Sequence, residues 1–323
     1  MTDPIQLTLT IPPETAGQRL DQVLSELLSE YSRTRIKTWI ESGQVLVNGG
    51  QLRPKDRVVG GERVEVHAVL PDAVPVAPEV IDLEIAFKDR HLLVINKPAG
   101  LVVHPGAGNA GGTLQNALLH FDPNLAQLPR GGIVHRLDKD TTGLLVVART
   151  IEAHTALVRM LEAHDIQREY EAVCVGVMTG GGNVDAPIGR HPMDRLRQAI
   201  REDGREAVTH YRVLHRYRGH THVRLQLETG RTHQIRVHMA HIHYPLVGDR
   251  VYGGRLLLPK GASSELIDAI RGFKRQALHA ARLAFEHPAG GKPVDVTAPI
   301  PADMQSLLGA LAKDAKLAAA KTR

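Results

Sequence analysis

GGIVHRLDKDTTGLLVVART, residues 131–150, holds an apolar run ending at Leu137, a polar turn, and a second apolar run over 144–148. Short apolar runs bounded by turn formers predict strands. The stretch therefore reads as strand, turn, strand, with Asp138 at the first strand's end. Arg136 lies beside it, and Lys139 and Asp140 follow closely. A rigid strand can aim such a carboxylate at a cleft. Asp, Thr and Gly are also ordinary turn residues, so the local pattern leaves both readings open.

Outward from this stretch the chain repeats the same grammar. LEIAF, HLLVINK, LVVH, EYEAVCVG, HYRVLHRY, HVRLQLE and ARLAFEH read as short strands. TLQNALLH, IEAHTALVRMLEAH, RTHQIRVHMAH and SELIDAIRGF read as helices. Strands outnumber helices and do not alternate with them strictly. That predicts an α+β domain on a mostly antiparallel mixed sheet rather than a doubly wound one. The boundaries expected for it are 81–305. A Pro-punctuated linker, 69–80, precedes it, and an Ala- and Lys-rich basic tail, 306–323, follows as a frayed helix or a disordered end.

Residues 14–68 form a smaller unit. Leu20, Val23, Leu24, Leu27, Leu28 and Tyr31 recur at helical spacing. Ser32 is placed to cap a second helix carrying Ile36, Trp39 and Ile40, which Gly43 ends. VLVNGG and ERVEVHAV read as strands, with a turn at Asn48-Gly49. Arg33, Arg35 and Lys37 decorate this unit. They form either a solvated face or a patch that tracks a phosphate backbone.

Composition narrows the function classes. Lys plus Arg is 40 and Asp plus Glu is 35, so the net charge is a mild +5, which permits a nucleic-acid partner without demanding one. Cys174 is the single cysteine, which excludes an internal disulfide framework and a multi-thiolate zinc site. No apolar run approaches the roughly 20 residues that span a bilayer. The N-terminus has acids where a signal peptide needs a basic patch, and a cytoplasmic protein is expected.

Two motifs invite cofactor readings. Gly106 to Gly111 matches GxGxxG, but no acid at a strand end and no series of βα units follows, so a flexible loop is expected. His233, His238, His241 and His243 crowd together without a carboxylate or thiolate at ligand spacing, so no metal is expected. LETGRTHQIRVH is more informative. Read as a strand end followed by a helix, it puts Arg231, Ile235 and His238 on one face. Arg231 is then placed to hold a carboxylate through a bidentate pair, or else serves a structural ion pair or a phosphate. Tyr170, on a strand-like run, is either a core aromatic or a site residue.

Taken together, INKPAGLVVHP, HRLDKDTTG, REYEAVCVG, AVTHYRVL, TGRTHQIRVH and ALHAARLAFEHP resemble, in order over about residues 80–300, the pseudouridine synthases of the ribosomal large subunit type. The D subtype is the nearest match. Residues 17–64 resemble the small RNA-binding domain named after ribosomal small-subunit protein four. The chain departs from the pattern at Arg168, where many relatives carry lysine, and in lacking a Lys-Met pair before HYRVL.

The resemblance implies conversion of uridine to pseudouridine in RNA without cofactor or metal. Large-subunit ribosomal RNA or its precursor particle is the implied partner, with no membrane and no nucleotide cofactor, and the enzyme is implied to be a monomer. It maps the essential aspartate onto Asp138, an active-site tyrosine onto Tyr170, and the aspartate's basic partner onto Arg231. Arg136 maps onto a residue that helps open the RNA. His135 and Ile235 join it in substrate binding, as do Arg33, Arg35 and Lys37 in the first domain. Rival readings are an RNA-binding assembly factor without catalysis, a two-carboxylate glycosidic hydrolase using Asp138 and Asp140, and a nicotinamide enzyme.

Overall fold

A computed structural model describes residues 5–28, 31, 33–68, 76–106, 108–194, 196–254 and 256–321. The chain divides into two compact units at residue 75.

The first unit contains β1 (Ile5–Thr10), α1 (Leu20–Leu27), α2 (Arg33–Glu41), β2 (Val45–Val47) and β3 (Arg63–Ala68). Its three strands pair antiparallel in the order β1-β3-β2. Leu20, Val23 and Leu24 of α1 and Ile36, Trp39 and Ile40 of α2 pack on Val64 and Val66 of β3. Asn48 and Gly49 take positive φ, as a tight turn between strands needs. β1 lies outside the span read from sequence, although its alternating burial follows the period-two pattern of IQLTLT. Ser32, the expected cap, lies outside the described residues.

The second unit is an α+β fold on one large sheet. Its early elements are β4 (Ile85–Lys88), β5 (Leu92–Lys97), α3 (Leu114–Phe121), β6 (Thr142–Ala148), α4 (Ile151–Glu162) and β7 (Gln167–Val175). Next come β8 (Gly182–Asp185), β9 (Ile188–Arg190), β10 (Gln198–Ile200), β11 (Val208–Arg216) and β12 (His220–Leu227). Then follow α5 (Gln234–His241), α6 (Ser264–Gly272), β13 (Leu278–Phe285), β14 (Val294–Thr297) and α7 (Ala302–Lys321). The sheet order is β4-β5-β6-β13-β7-β12-β11-β8, with β14 on β13 and β9-β10 as a separate hairpin. Among the described strands only β6 and β13 run parallel.

β6 is buried along its whole length, as a continuous apolar run in a sheet covered on both faces should be. Leu145 and Val147 face α3's Leu114 and Leu118, while Leu144 and Val146 face α4's Ala153 and Leu157.

Three expectations are corrected. Residues 133–137 are not a strand. β5 pairs the whole of one edge of β6, and β13 takes the start of the other. The segment therefore makes one bridge, Ile133 to Val147, and the His135 ring instead of its backbone accepts Val146 N at 3.0 Å. LVVH likewise makes only a bridge, Val102 to Thr113. The basic tail is a helix, as in the first of its two readings, but it is packed rather than frayed: α7 buries Met304, Leu307 and Leu311 against Leu266 and Ile270 of α6. Arg218 and Ser263 N also hold the buried Asp314 at 2.9 and 2.7 Å.

Of the expected linker, 69–75 lies outside the described residues. The part from Val76 packs on the second unit: Asn116 donates to Ala77 O at 2.7 Å, and Val76 joins the main core.

Lys97 ends β5 fully buried. Burial draws its ammonium down to about 8. Its Nζ donates to Pro98 O, Leu101 O and Lys139 O at 2.8–2.9 Å, which ties the turn after Asp138 to β5. Lys97→Met strips donors from these carbonyls. It is expected to cost about 2–4 kcal/mol in urea unfolding, and a loss under about 1 kcal/mol would contradict this account.

Candidate active site

A cavity of about 570 Å³ opens beside Asp138. The backbone around this residue is pinned from several sides. Asp138 O accepts from Thr141 N at 3.1 Å, closing the turn. Lys139 O is held by Lys97, and Asp140 O accepts from Arg275 Nη1 at 3.2 Å. Thr141 Oγ1 accepts from Gln276 Nε2 at 3.0 Å. So the carboxylate is aimed by a braced turn rather than by a strand.

Asp138 Oδ2 accepts from Arg236 Nη1 at 2.9 Å. The same guanidinium donates through Nε and Nη2 to the fully buried Asp249 at 2.7 and 2.9 Å. Asp249 also takes Val251 N and Tyr252 N. Burial pushes the Asp249 carboxyl up, but Arg236 and these amides outweigh it and hold it below the usual range. Two carboxylates in turn raise Arg236, despite its burial, so it stays charged. The Tyr252 ring lies 5.1 Å from the guanidinium carbon. Its hydroxyl meets His233 Nδ1 at 2.8 Å, and His233 Nε2 stands 3.8 Å from Asp138 Oδ1.

This corrects the sequence reading of Arg231. Its Nε donates to Glu206 O at 2.9 Å and its backbone N–H to Gln234 Oε1 at 2.9 Å, on the cavity wall away from Asp138. The physical reason lies at His233. That residue takes φ 58°, in the left-handed region, so the helix starts only at Gln234 and Arg231 is not on its face. Arg236, one residue beyond Ile235, faces the aspartate instead. Its signal was a charge embedded between Ile235 and Val237 with an acid at 249. Arg236, Asp249, Tyr252, His233 and Arg168 were all missed as site residues.

Tyr170 on β7 lines the cavity and is buried. Burial raises its phenol, and although the Arg168 cation pulls the other way, Tyr170 remains protonated near neutral pH. Ile235 lines the cavity, buried, and Arg136 lines it exposed. His135 lines it too. Burial and the nearby Arg168 push its imidazole down to about 3, so it is neutral.

In the first unit, Arg33 pairs with the buried Asp21 at 2.9 Å, and Lys37 lies 3.6 Å from Glu41. Arg35 lies on the same helix.

The cofactor motifs have structural explanations. Gly112 N donates to both oxygens of Glu79 at 3.0 Å, so a carboxylate of the chain itself occupies the amide beside the Gly-rich loop. His238 is committed to Thr209 Oγ1 and Ala186 O, and His241 and His243 are exposed. Among the described residues no three His, Cys, Asp or Glu gather as a metal site. No helix among them is long and apolar enough to cross a membrane.

Comparison with known proteins adds the chemical class. A family model described as RNA pseudouridylate synthase matches residues 91–241, and an S4 domain model matches residues 18–64. The chain is 57% identical over 313 residues to ribosomal large subunit pseudouridine synthase D of Xanthomonas campestris pv. campestris, covering 97% of this chain and 95% of that protein. It is 55% identical over 316 residues to the protein of the same name from Salmonella typhimurium, covering 97% of each. Among solved structures it is similar to human RNA pseudouridylate synthase domain containing 4, with a TM-score of 0.55 and 28% identity, covering 71% of this chain and 93% of that one.

Proposed function

Because this chain belongs to the RNA pseudouridylate synthase family, we propose that it isomerises uridines of large-subunit ribosomal RNA in the cytoplasm, with Asp138 as the reacting carboxylate. The observation that carries this is the carboxylate itself, braced on a fixed turn, oriented by Arg236 and facing a cavity floored by Tyr170. The relatives' names supply the RNA.

In the reaction the C1′–N1 bond breaks and a C1′–C5 bond forms. C5 loses its proton, and N1 gains one. Positive charge develops on the ribose as N1 departs. A carboxylate meets it by stabilising that charge, by attacking C1′, or by removing a ribose proton. Arg236, locked by Asp249, presents one N–H to Asp138 and fixes the orientation of its other oxygen. Tyr170 offers a flat face for the uracil and a hydroxyl for proton transfer at C5. The target base leaves its stack, at a cost of a few kcal/mol, and Arg136 at the cavity mouth fills the space it vacates.

The test is tritium release from large-subunit RNA lacking modifications and labelled at uridine C5. Release, followed by mapping of the converted uridines, is the expected result. No release from free RNA or from precursor particles would reject the reading.

The first unit supplies RNA affinity in this reading. Neutralising Arg33, Arg35 and Lys37 together is expected to weaken binding. The salt slope should fall by up to about three, one for each phosphate contact removed. An unchanged slope would return the patch to a solvated face.

A further inference from the structure

β7 sorts its charges by face. Glu169 and Glu171 point one way and are taken by Arg282, Arg224 and His222. Arg168 and Tyr170, two residues apart, point the other way into the cavity. Alternate residues of a strand share a face about 7 Å apart, close enough for one base to touch both.

Arg168 is 7% exposed. Among the described residues it has no carboxylate partner. Its Nη2 donates to Glu228 O at 2.9 Å, while its buried Nε has no hydrogen-bond partner. Room for the guanidinium is kept by Gly230, where a Cβ would stand 2.8 Å from Nη1. Neither of the two titratable rings beside it offers a negative charge: the Tyr170 phenol is protonated and the His135 ring is neutral. A buried cation without an acid is costly unless something completes it, and Arg168 lines the cavity that a substrate would enter.

Building on the reading above, we propose that Arg168 is a catalytic residue that donates to a uracil carbonyl and stabilises the negative charge on the base as it leaves C1′. The electron pair of the C1′–N1 bond departs with N1 and spreads onto O2 and O4. The ring then turns, C5 bonds to C1′, the C5 proton is lost, and N1 takes one up. The negative charge that complements Arg168 develops in this step. A phosphate is the weaker occupant, because Arg130, Arg136, Arg205 and Arg231 also line the cavity, and Arg130 and Arg136 do so from exposed positions. Arg168 instead lies buried beside the phenol.

The test is single-turnover conversion at saturating RNA by wild type, Arg168→Gln and Arg168→Lys, with RNA affinity measured separately. The substrates are large-subunit RNA carrying uridine and the same RNA carrying 5-fluorouridine, each followed by consumption of the target nucleotide. Wild-type turnover of the uridine RNA checks the underlying reaction independently. Arg168→Gln is expected to slow uridine conversion by about 10²–10³-fold while RNA affinity stays within about threefold. Arg168→Lys should recover part of the rate. 5-Fluorouracil is the better leaving group, so the penalty should shrink by at least about tenfold on that substrate. An equal penalty on both substrates would overturn the proposal, as would lost RNA affinity with an unchanged saturating rate. Should Arg168→Gln fail to fold, a fully active Arg168→Lys with no difference between substrates would overturn it as well.

Discussion

Asp138→Asn is expected to fold normally, to bind RNA, and to lose tritium release by on the order of 10⁴-fold or more. The amide keeps the shape of the carboxylate, and its oxygen accepts the same Arg236 Nη1 donor. Arg236 keeps Asp249 as counter-ion, so no buried charge is orphaned. Unfolding free energy should therefore stay within about 1 kcal/mol of wild type. What disappears is the charge facing C1′. Residual activity above a tenth of wild type, in a protein shown to be folded, would place the chemistry on another group.

Arg236→Met should act on stability and activity together. It takes from Asp138 the guanidinium N–H that its Oδ2 accepts and strips Asp249 of a bidentate partner inside the protein. Two backbone amides remain for Asp249, which is too little for a charged carboxylate at that depth. Removing one partner of such a pair costs about 3–5 kcal/mol, measured by urea unfolding at neutral pH. The sign with pH follows from Asp249, whose carboxyl is held below its ordinary range in the folded protein. Stability gained from Arg236 is thus fully present above the unfolded carboxyl's pKa of about 4. It fades as pH falls below that value, so the gap between wild type and variant should narrow in acid. Adding Asp249→Asn removes the stranded charge. The double variant should regain stability and remain inactive, since Asp138 is still unheld. A single variant within about 1 kcal/mol of wild type would contradict the central role given to this arginine.

Much of this architecture was open to reading from residues alone, for a physical reason. β6, β7, β12 and β13 are short apolar or alternating runs between turn formers, and their burial in the sheet keeps that pattern intact. Asp138 stands out because HRLDKDTTG is specific, whereas Tyr170 reads equally well as a core aromatic from its own run. Arg231 could not be told from Arg236 by spacing, because the deciding event is a left-handed residue at 233. His enters that conformation more readily than most residues, but among the described residues only His164, His233 and His243 of the chain's 18 histidines do so, and the residue type does not single out 233. The strand expected at 133–137 failed because pairing depends on which edges of β6 are already taken, a fact of the assembled sheet. α7 was read as a tail because its alanines hid the spacing of Met304, Leu307 and Leu311. Asp249 and Tyr252 matter only through contacts formed on folding, and nothing in their local sequence announces them.

The parallel pairing of β6 with β13 also has a bearing on time. The turn that carries Asp138 is braced by Arg275 and Gln276, each 135 residues further along the chain, and Arg275 is steadied in turn by Asp303. At a synthesis rate of about 5–20 residues per second, those braces are made roughly 7–27 seconds after the turn itself. During that interval the nascent polypeptide displays the aspartate without the means to aim it. A prematurely terminated product ending before residue 275 shares the defect permanently. Chemistry on RNA is thereby reserved for copies already translated past Arg275, Gln276 and Asp303.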